Sequence, residues 1–214
     1  MKLFKNNQSG RSMIEMLGVL AIIGVLSVGG IAGYSKAMNK YKISKTTDQV
    51  SMLIANIRTM FSAQGNYKNL TTNTAIDFGA IPDDMVKTEN GTRKIKNLFG
   101  GDVDIGPSDL LDFYDERAFV VAYTNIPTEA CVSISTSDWG SDQSSGLAGM
   151  GIVSGFMDYQ YLFDTFLGSG IQYINEDGGE FRAAVGGGST FPIPVAQAVS
   201  ACNGTGNTIL WKYY

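Results

Sequence analysis

From Met16 to Ala32 the chain carries an unbroken run of apolar and small residues, MLGVLAIIGVLSVGGIA, with a carboxylate, Glu15, directly before it. A helix made of this run is apolar on every side, so lipid or other helices must cover it. The run falls slightly short of the ~20 residues that span a bilayer unaided, and Tyr34 extends it to an interface where aromatic rings collect. A charge at the edge of such a segment costs a few kcal/mol, so Glu15 calls for a partner. The bland alternative holds it at the headgroup boundary, hydrated.

Beyond the run the pattern becomes amphipathic. Tyr34, Ala37, Met38, Tyr41, Val50, Leu53, Ile54, Ile57 and Phe61 recur at steps of three and four, while Lys40, Lys45, Asp48 and Arg58 mark a wet side. The first proline is Pro82. The economical reading is one helix from about Ser12 to about Ala63, near 75 Å long, stopped by Gly65. Glycines 18, 24, 29, 30 and 33 weaken its apolar half by about 1 kcal/mol each relative to alanine, and let neighbouring helices approach closely.

Three readings compete for the apolar half: a cleaved secretory signal, a permanent anchor, or an anchor that later becomes the core of a polymer. Lys2 and Lys5 supply a basic leader, and Gly30-Ile31-Ala32 offers small residues for a signal peptidase. Against the signal stand Arg11 and Glu15, between leader and run, and the helical continuation past the cut. Orientation stays open. Lys2, Lys5 and Arg11 on one side are balanced by Lys36, Lys40, Lys42 and Lys45 on the other.

The 214 residues suit one domain of ordinary size plus an appendage. The formal charge of -4 and the concentration of lysines near the start leave no basic, aromatic-interleaved strip for phosphates, which argues against nucleic acid as a partner. There is no histidine, so the commonest general base and metal ligand are missing. Cys131 and Cys202 are too distant for CxxC chemistry and cannot complete a zinc shell without histidine. In an exported chain they fit a disulfide that closes a loop of about 70 residues and constrains the unfolded state by roughly 4 kcal/mol. In a cytosolic chain they would be two buried thiols.

Residues 66 to 117 read as short elements joined by turns, among them NYKNLTTNT, FGAIPDDMV and TENGTRKIKNLFGGDVDIGP, then a helix-like SDLLDFYDER capped by Ser108. RAFVVAY, Arg117 to Tyr123, is β-prone. IPTEACVSISTSDWG alternates like a strand, but Pro127, Glu129 and the spacing of Cys131, Ile134 and Trp139 favour a helix. Residues 140 to 190 are rich in glycine and serine and read as loops and edge strands. PVAQAVSACNG reads as a short helix begun by Pro194, and TILWKYY as a closing strand.

Gly10 after a short basic leader, Glu15 as the fifth residue beyond it, about 20 apolar residues and the amphipathic continuation together resemble the class III leader and first helix of type IV prepilins. The resemblance implies that a prepilin peptidase on the cytoplasmic face cuts between Gly10 and Arg11 and methylates the new amine. Arg11 departs from the Phe, Met or Leu usual in the family at that position. The strand leading into IPTEACVSISTSDWG, the proline-started helix bearing the second cysteine and the final strand resemble type IVb pilins of thin conjugative and adhesive pili. What this implies is an α+β pilin fold: a long N-terminal α-helix packed on an antiparallel β-sheet, with a C-terminal region closed by a Cys131–Cys202 disulfide. The implied divisions are a leader (1–10), a membrane and filament-core half-helix (11–34), an amphipathic half (35–63) and a globular head domain (64–214).

The resemblance also implies the work. The chain would be a structural subunit and not an enzyme, without cofactor or metal, held in the inner membrane with its head in the periplasm. Assembly machinery would then move it into an extracellular filament of identical subunits, where Glu15 of an incoming subunit pairs with the Arg11 amine of its neighbour. Rivals are a pseudopilin of a type II secretion system, a low-copy minor pilin, or a tethered or secreted enzyme or carbohydrate-binding module using Tyr159, Tyr161 and Tyr173. Asp102, Asp104 and Asp109 in GGDVDIGPSD crowd as in a calcium loop but lack its spacing and terminal Glu. Asp112, Asp115 and Glu116 read as a solvated helix face, Gly186 to Ser189 as a flexible loop, and the glycan-acceptor patterns at Asn69, Asn90 and Asn203 as chance matches.

Overall fold

The helix expected at the N-terminus, α1, runs from Met13 to Phe61. The computed structural model describes residues 13–108, 116–140, 145–154, 180–183 and 191–214. The chain divides into two compact units, Met1–Tyr41 and Lys42–Tyr214. In the first, the described residues are all α1, with side chains exposed on every side, as a run without a polar face requires. In the second, α1 buries Thr46, Gln49, Val50, Leu53, Ile54, Ile57 and Phe61, the stripe that the three- and four-residue spacing marks out.

The elements after α1 are α2 (Thr72–Asp77), a 3-10 turn (Asp83–Met85), β1 (Val86–Glu89), β2 (Thr92–Lys96), β3 (Asp102–Ser108), β4 (Ala118–Ile126), α3 (Thr128–Ser135), β5 (Leu147–Ser154), β6 (Glu180–Ala183), α4 (Val195–Ala201) and β7 (Asn207–Tyr213). The strands form one antiparallel sheet in the order β1-β2-β3-β4-β7-β5-β6. Local chemistry explains several of them. Asn90 and Gly91, both at positive φ (51° and 78°), make the tight β1–β2 turn whose twist matches its strands. Thr71 caps α2 reciprocally with Thr74, and Pro127 and Pro194 precede the first turns of α3 and α4.

Phe119, Val121 and Tyr123 of β4 stand in register with Tyr213, Trp211 and Ile209 of β7, and Trp211 and Ile209 with Met150 and Ile152 of β5. These side chains share one core with the buried stripe of α1. Residues 118–123 are buried on both faces of the sheet, which is why RAFVVAY reads as a continuous apolar run and not as an alternation. One expectation changes. β5 is an interior strand, not a loop or edge: Leu147, Met150 and Ile152 face the core while Gly149 and Gly151 blank out the alternation. Ser108 ends β3 opposite Ala118, and the rest of SDLLDFYDER, with the helix expected there, lies largely outside the described residues. Asp102 and Asp104 belong to strand β3, not to a loop, and Lys96 holds Asp102 at 2.8 Å; Asp109 lies outside the described residues.

The block NLFGG closes the β2–β3 turn. The Asn97 amide donates to the Thr124 carbonyl at 2.7 Å, and its oxygen accepts from the backbone of Phe99 (2.8 Å) and Gly101 (3.1 Å). The Lys42 ammonium of α1 lies 5.8 Å from the centre of the Phe99 ring. A Cβ on Gly101 would sit 1.9 Å from the Thr124 oxygen, so the two backbones meet only because the side chain is absent. Gly101→Ala is therefore expected to cost about 2–3 kcal/mol through forced backbone displacement. In a thermal melt of the detergent-solubilised chain this should lower Tm by roughly 5–10 °C.

Candidate functional site

Two constellations carry the functional reading. The first is the exposed start of α1. Glu15 lies in its first turn, and Ile14, Leu17, Leu20, Ile23, Val25, Leu26, Val28 and Ile31 are exposed around it. Among the described residues no atom outside the helix comes within 4 Å of the space a Cβ would fill at Gly18, Gly24, Gly29, Gly30 or Gly33, so another helix has room to approach there. Among the described residues α1 is long and apolar enough to cross a membrane. A carboxylate near the N-terminus of a helix is favoured by the helix dipole, which partly offsets the cost of placing it beside an apolar run. Gly10 and Arg11 lie outside the described residues.

The second is the bridge between α3 and α4. Cys131 and Cys202 are bonded, with Cα atoms 5.9 Å apart, and both are buried. Of the two readings of these cysteines, the disulfide is the one present. Around them the Thr128 hydroxyl donates to the Gly204 carbonyl (3.2 Å), and the Asn207 amide to the Ile126 carbonyl (3.0 Å). Trp139 donates to the Ile134 carbonyl (2.8 Å) and packs on Trp211 with ring centres 5.0 Å apart, while the Tyr213 hydroxyl donates to the Trp139 carbonyl (2.6 Å). Burial pushes the Tyr123 and Tyr213 hydroxyls up, further from ionisation at neutral pH; Tyr213 donates its proton to the Trp139 carbonyl, and the Tyr123 ring packs edge-on against Trp211.

Spacing alone missed how α1 holds the segment that follows it. Arg58, assigned to the wet side, donates to the Ser145 carbonyl at 2.7 Å and secures the approach to β5. Asn56 donates to the Ala80 carbonyl (2.9 Å), and Lys45 and Gln49 both reach Asp84 (2.6 and 3.3 Å). The hydrogen bond from Lys45 holds the Asp84 carboxyl below its ordinary range, against the opposing effect of burial. Polar residues on the flank of a buried stripe anchor loops in this way without altering the 3.6-residue period. Tyr159, Tyr161 and Tyr173, and the Gly186–Ser189 run, lie outside the described residues. Among the described residues no three metal-ligating side chains converge.

Residues 40–156, more than half of the chain, match the model of the family described as PilS N terminal. Over 137 residues, 64% of this chain and 68% of the relative, the sequence is 28% identical to the major structural subunit of bundle-forming pilus from Escherichia coli O127:H6 (strain E2348/69 / EPEC). The fold resembles the crystal structure of a type IVb pilin from Salmonella typhi, with a TM-score of 0.53 and 19% identity over 79% of this chain and 98% of that one. It also resembles TcpA, a type IV pilin from Vibrio cholerae El Tor biotype, with a TM-score of 0.56 and 13% identity over 81% and 99%. The long helix, the antiparallel sheet and the bridged C-terminal region are thus those of a type IV pilin.

Proposed function

Because the chain belongs to the PilS N-terminal family, we propose that it is a structural pilin that polymerises into a type IVb-like pilus used in adhesion or conjugation. The observation that carries this reading is the start of α1: a helix apolar all round, with a carboxylate in its first turn and its side chains exposed. Lipid covers such a surface before assembly, and a bundle of like helices covers it afterwards. The kinship with a subunit named for bundle-forming pilus supports the same reading.

On this proposal residues 1–10 are a leader removed by a prepilin peptidase between Gly10 and Arg11. Residues 11–34 form the membrane and filament-core half of the helix, 35–63 the amphipathic half, and 64–214 the head. The head faces the periplasm until the assembly machinery adds the subunit to the filament. Glu15 then neutralises the methylated amine of Arg11 in the neighbouring subunit, removing two charges from an apolar bundle together. Intact mass of the mature protein tests the proposal. Loss of residues 1–10 with one added methyl, in material sheared from the cell surface, is expected; a chain beginning near Gly33, as after an ordinary secretory signal, would overturn it.

A further inference from the structure

The buried stripe of α1 is apolar from Val50 onward, but its first two positions are polar: Thr46 is 0% exposed and Gln49 5%. The Thr46 hydroxyl has no hydrogen-bond partner among the described residues, although Thr47, Ser51 and Thr59 on the same helix each donate to the carbonyl four residues back. Gln49 donates its amide to Asp84 (3.3 Å), and its side-chain oxygen is left unpartnered. On β4, the hydroxyl of Tyr123, a residue 0% exposed, is unpartnered as well. The three groups belong to one neighbourhood. Thr46 lies one helical turn before Gln49 on the same buried stripe, and Gln49 bonds Asp84. Val50, next to Gln49, and Met85, next to Asp84, share one core with Tyr123, and the Asp84 charge acts on the Tyr123 hydroxyl.

A buried polar atom without a partner carries the full cost of leaving water, so native cores rarely keep one, and three together call for a guest that satisfies them at once. Chemistry selects that guest. Gln49 Oε1 only accepts, whereas each hydroxyl both donates and accepts. An anion would face Gln49 Oε1 and the Asp84 carboxylate. A cation would face the Lys45 ammonium, which lies 2.6 Å from Asp84. A small neutral molecule that donates and accepts in several directions meets both constraints, and water is the smallest. Asp84 is partly exposed, so the site borders the solvent from which such a molecule enters.

We infer that Thr46, Gln49 and Tyr123 form the binding site of an internal water, which donates to Gln49 Oε1 and accepts from the Tyr123 hydroxyl, with the Thr46 hydroxyl as its third partner. The water ties the first buried turn of α1 to β4, an interior strand of the sheet. This accounts for the two polar residues that open an otherwise apolar stripe: they hold the helix to the sheet by shared hydrogen bonds where the residues after them hold it by packing.

Two substitutions that keep shape and remove a hydroxyl, Tyr123→Phe and Thr46→Val, test the site in thermal melts of the detergent-solubilised chain. With the water bound, each is expected to lower Tm by roughly 3–6 °C. The double variant should lose clearly less than the sum, because both hydroxyls serve the same molecule. If the hydroxyls are dry, removing either one relieves an unpaired buried group. Unchanged or raised Tm in the single variants, or losses that add in full, therefore overturn the site. A crystal structure of the full chain reads the water directly, as an ordered oxygen within about 3.2 Å of both Gln49 Oε1 and the Tyr123 hydroxyl. An empty site there, or a direct hydrogen bond among the three side chains, overturns the assignment.

Discussion

Cells making Glu15→Val are expected to hold the protein in the inner membrane at the wild-type level and to yield no sheared filaments. Valine at the start of an apolar helix removes a cost of a few kcal/mol, so insertion improves if it changes at all. What disappears is the attraction proposed between the carboxylate and the amine of Arg11 on the neighbouring subunit, on the order of 4 kcal/mol for a close pair at an effective dielectric near 20. The amine would then enter the bundle uncompensated, and an unpaired buried charge is more expensive than no charge. Glu15→Gln should behave like Glu15→Val, because it keeps the shape and the hydrogen-bonding capacity but not the charge. Membrane fractionation and quantitation of sheared material check both variants. Wild-type filament yield from either would show that Glu15 is not paired in this way.

The apolar half of α1 makes this expectation sharper than it would be for a helix with a wet face. Every side of the helix between Ile14 and Ile31 is exposed, so on the filament proposal a bundle of copies would have to enclose all of it. Once lipid is gone, water has no access with which to hydrate a lone ammonium. On the proposed processing Arg11 would add a guanidinium beside that amine, and one carboxylate per subunit would then face two positive groups. Arg11→Met should accordingly assemble at least as well as wild type.

How far the fold could be read from the residues depended on whether the side chains advertised their period. The second half of α1 did so, because apolar residues at three- and four-residue steps leave no other solution, and its end at Phe61 falls within two residues of the Ala63 expected. The β1–β2 hairpin was marked by Asn90-Gly91, and α3 and α4 by the prolines before them. β5 was illegible because two of its outward positions are glycine, which removes the polar half of the alternation. β3 was half legible: Val103 and Ile105 alternate inward, while the crowded aspartates suggest a cation loop without having its spacing or terminal Glu, and Lys96 lies beside Asp102. Glu15 stood out because a charge is conspicuous against an apolar run.

Cys131→Ser is expected to cost about 2–5 kcal/mol, a large part of the 5–15 kcal/mol that a domain of this size has in total. The bridge spans a separation of 71 residues, and losing a closed loop of that length frees the unfolded chain by roughly 4 kcal/mol on the entropy model. The substitution also places a hydroxyl and an orphaned Cys202 thiol in a site from which water is excluded. Between the two cysteines in sequence lie β5 and β6, so the loop that loosens includes an interior strand of the sheet. Tm should fall by roughly 10 °C. The head should become sensitive to protease at the growth temperature, and the steady-state level of the chain should drop before any defect in assembly is scored. Because the sulfurs are buried, reductant alone should act slowly on the native protein and quickly once moderate urea opens it. Equal urea midpoints for the oxidised and reduced chains would show that the bridge contributes nothing to stability.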